Sequence, residues 1–477
     1  ATVAVIAVVL ISALAAVIII GGDMTDTFHY YPKEIFLASP EVSDTEGDLP
    51  SSLDLRDLGL VTPARDQGKY GTCWAFSTIA SIETSLIRNG YADTSVDLSE
   101  AWLYNTLDSF KHDDPSISGD IVSIDGLLEY GCTEQVALLA VTTGMGLVDE
   151  SVVPYSTMDT LQFPDQLDTR YAVTGSKTVS GGDIVGIKAL LNQGYALTVN
   201  YFVDRVHYNV YIDDDGNTGI CFSISDRTVN PNHLVTVIGY DDSFPASRFS
   251  DTPPADGAWL LKNSWGTESP FVDESGCFWI SYWSAGLSPM TAFDAAPVDA
   301  VEDNIYQYDG GISLGQNVAL GNYGAMANVF TASGNEVLES ASFYVPENAG
   351  VDYTVSVYMN LKDPSDPTSG DLVSSVHGAS QFAGMTKVQF NSDIIIMEGT
   401  EFSIVVELYD AGRYVSLALD TSADVYDGYD FSRIWAESRT TSHPGESFIS
   451  PDGKKWMDIG SHGFTNVRVK AYTSDFY

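Results

Sequence analysis

Apolar side chains recur at steps of three and four between residues 74 and 87, at Phe76, Ile79, Ile82, Leu86 and Ile87. That spacing predicts a helix with one buried face. Val136, Leu139 and Ala140 predict a second helix over residues 134–143 in the same way. Further along, the period changes. Residues 196–202, 234–240, 258–262 and 277–282 alternate or run apolar, as strands do. Helices first and strands later predict an α+β domain with two segregated halves and a cleft between them. Beyond about residue 298, Tyr353, Val355, Val357 and Met359 share one face of a strand over residues 352–361. Residues 401–408 and 466–472 also read as strands, and turn signals such as Pro364-Ser365-Asp366-Pro367 and Pro451-Asp452-Gly453 lie between them. Short punctuated strands without a long helix predict an all-β sandwich.

The first 20 residues are apolar except for Thr2 and Ser12. A helix of that length spans about 30 Å, the thickness of a bilayer core. Residues 1–20 are therefore read as a transmembrane anchor or signal segment, and the rest of the chain as exported. Residues 21–48, with Gly21-Gly22, Pro32, Pro40 and no sustained period, read as a linker or short pro-segment. The folded part divides into residues 49–297 and 298–477, with the boundary in Asp294-Ala295-Ala296-Pro297-Val298.

Charge narrows the range of partners. Asp and Glu number 65 against 22 Lys and Arg, a formal net charge of −43. Such a chain repels nucleic acid and anionic membrane surfaces, so neither is an expected partner, and any membrane contact falls to residues 1–20. The four cysteines, Cys73, Cys132, Cys221 and Cys277, include no C-x-x-C pair. No structural zinc, and no metal or cofactor of any kind, is expected. The acidic run at 213–217 reads as a solvated hairpin turn. An EF-hand register starting at Asp213 puts Thr218 where Gly is needed and Ile224 where a bidentate Glu is needed. Trp435 and Trp456 could stack on sugar, but core packing is the simpler reading for a Trp in a sandwich.

The candidate chemistry centres on Cys73, where a Gly-rich loop becomes the first helix. Unpaired N–H groups and the helix dipole favour a thiolate there. Gln67 lies upstream in the same loop, and could aim its amide at the same point. A nucleophilic Cys needs a base, a group that orients the base, and donors for the developing oxyanion. Downstream, Asn232-His233 opens an apolar strand, and Lys262-Asn263-Ser264-Trp265-Gly266 closes another.

In this order, Gln67-x5-Cys73-Trp74-Ala75-Phe76-Ser77, Asn232-His233-x-Val235-x-Val237-x-Gly239-Tyr240 and Lys262-Asn263-Ser264-Trp265-Gly266-Thr267 resemble the papain-like cysteine proteases. Asp97-Leu98-Ser99-Glu100 is similar to another family segment, as is Glu150-Ser151-Val152-Val153-Pro154-Tyr155. The resemblance covers about residues 49–290 and implies a two-lobed domain, a helical lobe plus a β-barrel-like lobe. It implies peptide-bond hydrolysis through a thioacyl-enzyme. Cys73 would be the nucleophile, His233 the general acid/base, Asn263 the group that orients it, and Trp265 a shield for that hydrogen bond. Gln67 and the Cys73 N–H would form the oxyanion hole, with Gly131, Cys132 and Asn232 as substrate-binding or supporting residues. The tail resembles the lectin-like domain that follows the protease domain in prokaryotic members.

Several positions depart from the family pattern. Lys69-Tyr70 stands where relatives have Ser-Cys, Cys132 where they have a second Gly, and residues 241–256 form an acidic insert. With Cys73 a nucleophile, at most one disulfide can join two of the other three cysteines, and their spacing leaves the pair open. The leading expectation is an extracellular or cell-surface cysteine endopeptidase, acting on peptides or proteins, whose sandwich could bind a surface glycan or protein. The alternatives are an adhesin built on an idle protease scaffold, or ligation or processing of one dedicated partner.

Overall fold

A computed structural model describes residues 49–108, 120–164, 167–213, 216–311, 318–346, 350–425, 435–463 and 465–476. The expected anchor (1–20) and linker (21–48) lie outside the described residues, as do Asp214, Asp215 and the side chain of Trp435. Among the described residues, no helix is long and apolar enough to cross a membrane.

The first half combines helices with one large sheet. The helix expected over 74–87 runs Cys73–Arg88. A nine-stranded sheet among the described residues passes through Tyr171–Val179, Met290–Pro297, Leu197–Tyr201, His233–Asp241, Ala258–Lys262, Cys277–Ser281, Thr218–Phe222 and Tyr208–Ile212, with Ser52–Asp54 added at the His233–Asp241 strand. Asp213 accepts the Asn217 N–H at 2.7 Å in the turn that joins Tyr208–Ile212 to Thr218–Phe222. The pattern did not reveal helices Glu100–Asp108 and Ile184–Asn192.

The Cys73 helix differs from its expected form in one respect. Every residue from Trp74 to Leu86 is buried, so the polar face is inside as well as the apolar one. Buried polar groups must find partners. Ser77 donates to the Val235 carbonyl at 2.7 Å, Ser81 to the Ala196 carbonyl at 2.7 Å, and Ser85 accepts from the Ala295 N–H at 3.1 Å. These serines, four residues apart, line one side of the helix and bond three neighbouring stretches of the β half. Toward the helical half, fully buried Glu83 accepts from Thr62 at 2.6 Å, from Arg65 at 2.9 Å and from the Leu98 N–H at 3.0 Å.

The second half is a sandwich. One sheet orders Asn304–Tyr306, Val469–Asp475, Glu336–Val345 and Gly384–Ile396; the other orders Asp371–Ser380, Val351–Met359, Glu401–Tyr409, Tyr323–Thr331, Ser447–Ser450 and Met457–Asp458. Val355 and Val357 are fully buried between them, as their alternation predicts. The strand expected over 466–472 is broken into Thr465–Val467 and Val469–Asp475. At the break, Arg468 turns inward to Asp420 at 3.1 Å and Asp309 at 3.4 Å. Trp456 packs beside Ala327, Val405 and Phe448, in line with a packing role.

Removing Glu83 leaves the Arg65 guanidinium short of a buried partner. Glu83→Ala is expected to cost about 3–5 kcal/mol in urea denaturation. Glu83→Gln, which keeps a carbonyl oxygen for the Leu98 N–H and turns its NH2 to the Thr62 hydroxyl, costs less. Equal stability of wild type and Glu83→Ala would contradict this role.

Candidate active site

Cys73 is the first residue of its helix. The residue before it, Thr72, occupies the N-cap position but makes no side-chain cap; its hydroxyl meets the Tyr155 hydroxyl at 2.5 Å instead. The Ala75 N–H is met by the Thr72 carbonyl at 2.9 Å, and the Cys73 and Trp74 N–H groups are left for an anion at the helix end. Burial pushes the Cys73 thiol up, and the N–H groups of Leu234, Trp74 and Cys73 itself pull it back down. Leu234 follows His233 on its strand, so that strand reaches the sulfur through its backbone.

His233 is 5% exposed. Its Nε2 lies 2.8 Å from Asn263 Oδ1. That oxygen also accepts the Ser264 N–H at 2.8 Å, which identifies it as the amide carbonyl. A carbonyl only accepts, so Nε2 carries the proton and the neutral ring keeps its lone pair on Nδ1. The Trp265 ring stacks on the imidazole, with centroids 4.5 Å apart and planes 17° apart, and covers one face of this pair. Burial pushes the imidazole down to about 4, and the bond to Asn263 partly offsets this. Burial thus favours a neutral thiol and a neutral base. A proton passing between them would create an ion pair held by the helix end and by Asn263.

Gln67 is buried and fixed at three points. Its N–H donates to the Ser264 carbonyl at 2.9 Å, its Oε1 accepts from the Ser264 hydroxyl at 2.6 Å, and its Nε2 donates to the Tyr70 carbonyl at 2.8 Å. An amide nitrogen carries two hydrogens, so one remains for a further acceptor. The chain therefore holds a thiol at a helix N-terminus, an oriented imidazole and an oriented amide donor around one seam between its two halves.

A family model described as papain family cysteine protease matches residues 49–282. That stretch is a papain-family cysteine protease domain. A model described as lectin like domain matches residues 305–473. A cathepsin L-like proteinase of Fasciola hepatica is 30% identical over 224 residues, covering 46% of this chain and 57% of that protein. Vignain of Vigna mungo is 28% identical over 225 residues, 46% of this chain and 52% of that protein. The chain thus spans little more than half the length of these relatives. The solved structure of the cysteine protease and lectin-like domains of Cwp84, a surface layer associated protein of Clostridium difficile, matches with a TM-score of 0.70. Identity is 24%, covering 92% of this chain and 91% of that one, a likeness of fold across both domains.

Within the papain-family domain, the remaining expected residues go to different places. Gly131, at φ +78, packs against the loop before Cys73: a Cβ there would lie 2.4 Å from the Gly71 carbonyl oxygen. Cys132 is 8% exposed and joins the apolar cluster around Trp74, so its side chain goes into the helical core. Asn232 is exposed, and its Oδ1 accepts the Val203 N–H at 2.7 Å, clamping the turn after Leu197–Tyr201. No disulfide joins the four cysteines. The 241–256 insert is anchored by buried Phe244 and Phe249, which cluster with Cys221 and Ala258. Sequence reasoning gave no role to Thr72, Tyr155 or Ser264. The Pro154-Tyr155 corner was the available signal for Tyr155.

His233 is expected to titrate near 4 by NMR in the folded protein. The Asn263 carbonyl favours the protonated ring, so Asn263→Leu, which keeps water out, should move the titration lower. A His233 titration near the ordinary 6.5 would contradict the buried site.

Proposed function

We propose that this chain is an exported or cell-surface cysteine endopeptidase that hydrolyses peptide bonds through a thioacyl-enzyme on Cys73. The observation that carries the reading is the His233–Asn263 bond, which leaves Nδ1 as the basic nitrogen of a ring on the strand that reaches the Cys73 sulfur. Cys73 passes its proton to Nδ1, and sulfur attacks the scissile carbonyl carbon. As the C–S bond forms, the carbonyl oxygen takes up the negative charge beside the Gln67 amide and the Cys73 N–H. The intermediate collapses, the C–N bond breaks, and the imidazolium gives its proton to the leaving amine. Water, activated by His233, then releases the acyl group and restores the thiol.

The cell-surface placement is supported by the apolar residues 1–20, the net charge of −43 and the fold shared with a surface layer associated protein. In this reading the lectin-like domain holds the enzyme near its substrates by binding a surface glycan or protein. An adhesin with an idle protease scaffold has no comparable observation in its favour.

A Cys-directed peptidyl epoxide is expected to label Cys73 alone. Cys73→Ala should abolish peptide hydrolysis, and Gln67→Ala should lower kcat by about 10²–10³-fold. Folded wild-type protein that neither takes the label nor cleaves any peptide would overturn the proposal.

A further inference from the structure

We propose that the short turn Tyr155–Asp159 is a positioning element that holds the oxyanion donors of this site in place, a reading that rests on the peptidase function above. The donors hang on loop 67–72, which carries Gly68 at φ +62 and a second glycine, Gly71. Glycines widen the set of conformations a loop can reach. Residues 67–72 contain no cysteine and Cys73 is free, so no disulfide fastens this loop. What fastens the loop instead is a set of polar bonds from one turn. The Tyr155 hydroxyl lies 2.8 Å from the Gln67 carbonyl and 2.5 Å from Thr72 Oγ1. Asp159 accepts from the Tyr70 hydroxyl at 2.6 Å and from Lys69 Nζ at 3.1 Å. Four loop residues are thus tied to one turn.

The proton positions follow from the partners. A carbonyl cannot donate, so the Tyr155 O–H points at Gln67, and the Thr72 hydroxyl donates to Tyr155. Thr72 is the N-cap residue of the Cys73 helix and would ordinarily turn its oxygen onto the first-turn N–H groups. Here Thr72 makes no such cap, because its hydroxyl is held by Tyr155, which fixes the last residue of the loop before Cys73. Tyr155 is itself anchored: its N–H donates to Glu150 Oε1 at 2.6 Å, and its ring meets Phe76 edge-on at 4.9 Å. The Lys69–Asp159 pair is exposed and adds little by itself. The Tyr155 hydroxyl is the working part.

The test separates oxyanion binding from thiol reactivity. A peptide aldehyde forms a hemithioacetal with Cys73 whose oxygen needs the donors, whereas iodoacetamide needs only the thiolate. Tyr155→Phe is expected to lower kcat and weaken aldehyde inhibition together, by roughly 10- to 100-fold for a loop displaced by a fraction of an ångström to an ångström. KM and the iodoacetamide rate should change less than about twofold, within what a removed neutral hydrogen bond allows. Should Tyr155→Phe fail to fold, Thr72→Val, which removes only the donating hydroxyl, should show the same split to a smaller degree. Unchanged kcat and aldehyde affinity in the folded variant overturns the proposal. So does an equal fall of kcat and the iodoacetamide rate, since a merely structural role moves both. Wild type that cleaves no peptide overturns the peptidase reading, and this proposal with it.

Discussion

The register of the Cys73 helix against the β half is the constraint on which the rest of the structure depends. Cys73 and His233, the proposed nucleophile and base, sit on different halves of the domain, far apart in the chain. Apolar packing alone would let the helix slide or turn at modest cost. The serines at 77, 81 and 85 prevent this, because each bonds a specific backbone group, at Val235, Ala196 and Ala295. A shift by one residue would leave all three hydroxyls and their partners unpaired in the interior, at about 1–3 kcal/mol each. The Val235 contact is the decisive one, since Val235 lies two residues from His233. The same hydrogen bond that seats the helix also sets the sulfur against the His233 strand.

From this seam the other parts take their places. The Glu83–Arg65 pair fixes the far side of the helix, and Arg65 also reaches Asp97 at 2.8 Å and Glu100 at 3.4 Å. Burial pushes the Glu100 carboxyl up to about 8. Lys262, next to Asn263, donates to Thr62 at 2.9 Å and so joins the orienting residue to the same network. The sandwich is docked onto this unit, not loosely tethered. Ile121–Asp125 pairs with Trp435–Arg439, Thr178 donates to the Ala383 carbonyl at 2.8 Å, and Gln307 donates to the Thr143 carbonyl at 2.7 Å. Asp120 accepts from the Gly310 N–H at 3.0 Å and the Thr441 N–H at 2.7 Å, which binds two segments of the second domain.

How much of this was legible in the sequence follows from how local each signal is. Cys73, His233, Asn263 and Gln67 lie in short contiguous blocks whose order resembles that of the papain family, and the structure bonds His233 to Asn263, Gln67 to Ser264 and the Leu234 N–H to the Cys73 sulfur. The alternation through Val355 and Val357 identified a sandwich strand because each residue's face depends only on its neighbours in the chain. The burial of Ser77, Ser81 and Ser85 could not be read in the same way. Periodicity reports where apolar residues fall, and here the polar face is covered by strands more than a hundred residues away. The break at Arg468 has a similar origin, since its partners Asp309 and Asp420 are distant in the chain. Cys132 occupies a site position in the linear pattern, but its backbone turns it into the core. Tyr155 was visible as a corner motif, and its role appears only once Gln67 and Thr72 stand beside it.

The most direct measurement is mass spectrometry of acid-quenched protein during turnover of a slowly deacylating peptide ester. One acyl group per chain, localised to Cys73 and absent from Cys73→Ala and His233→Ala proteins, is the predicted result. Turnover without an adduct on Cys73, or an adduct on Cys132 in its place, would contradict a site built from the Cys73 helix and the His233 strand.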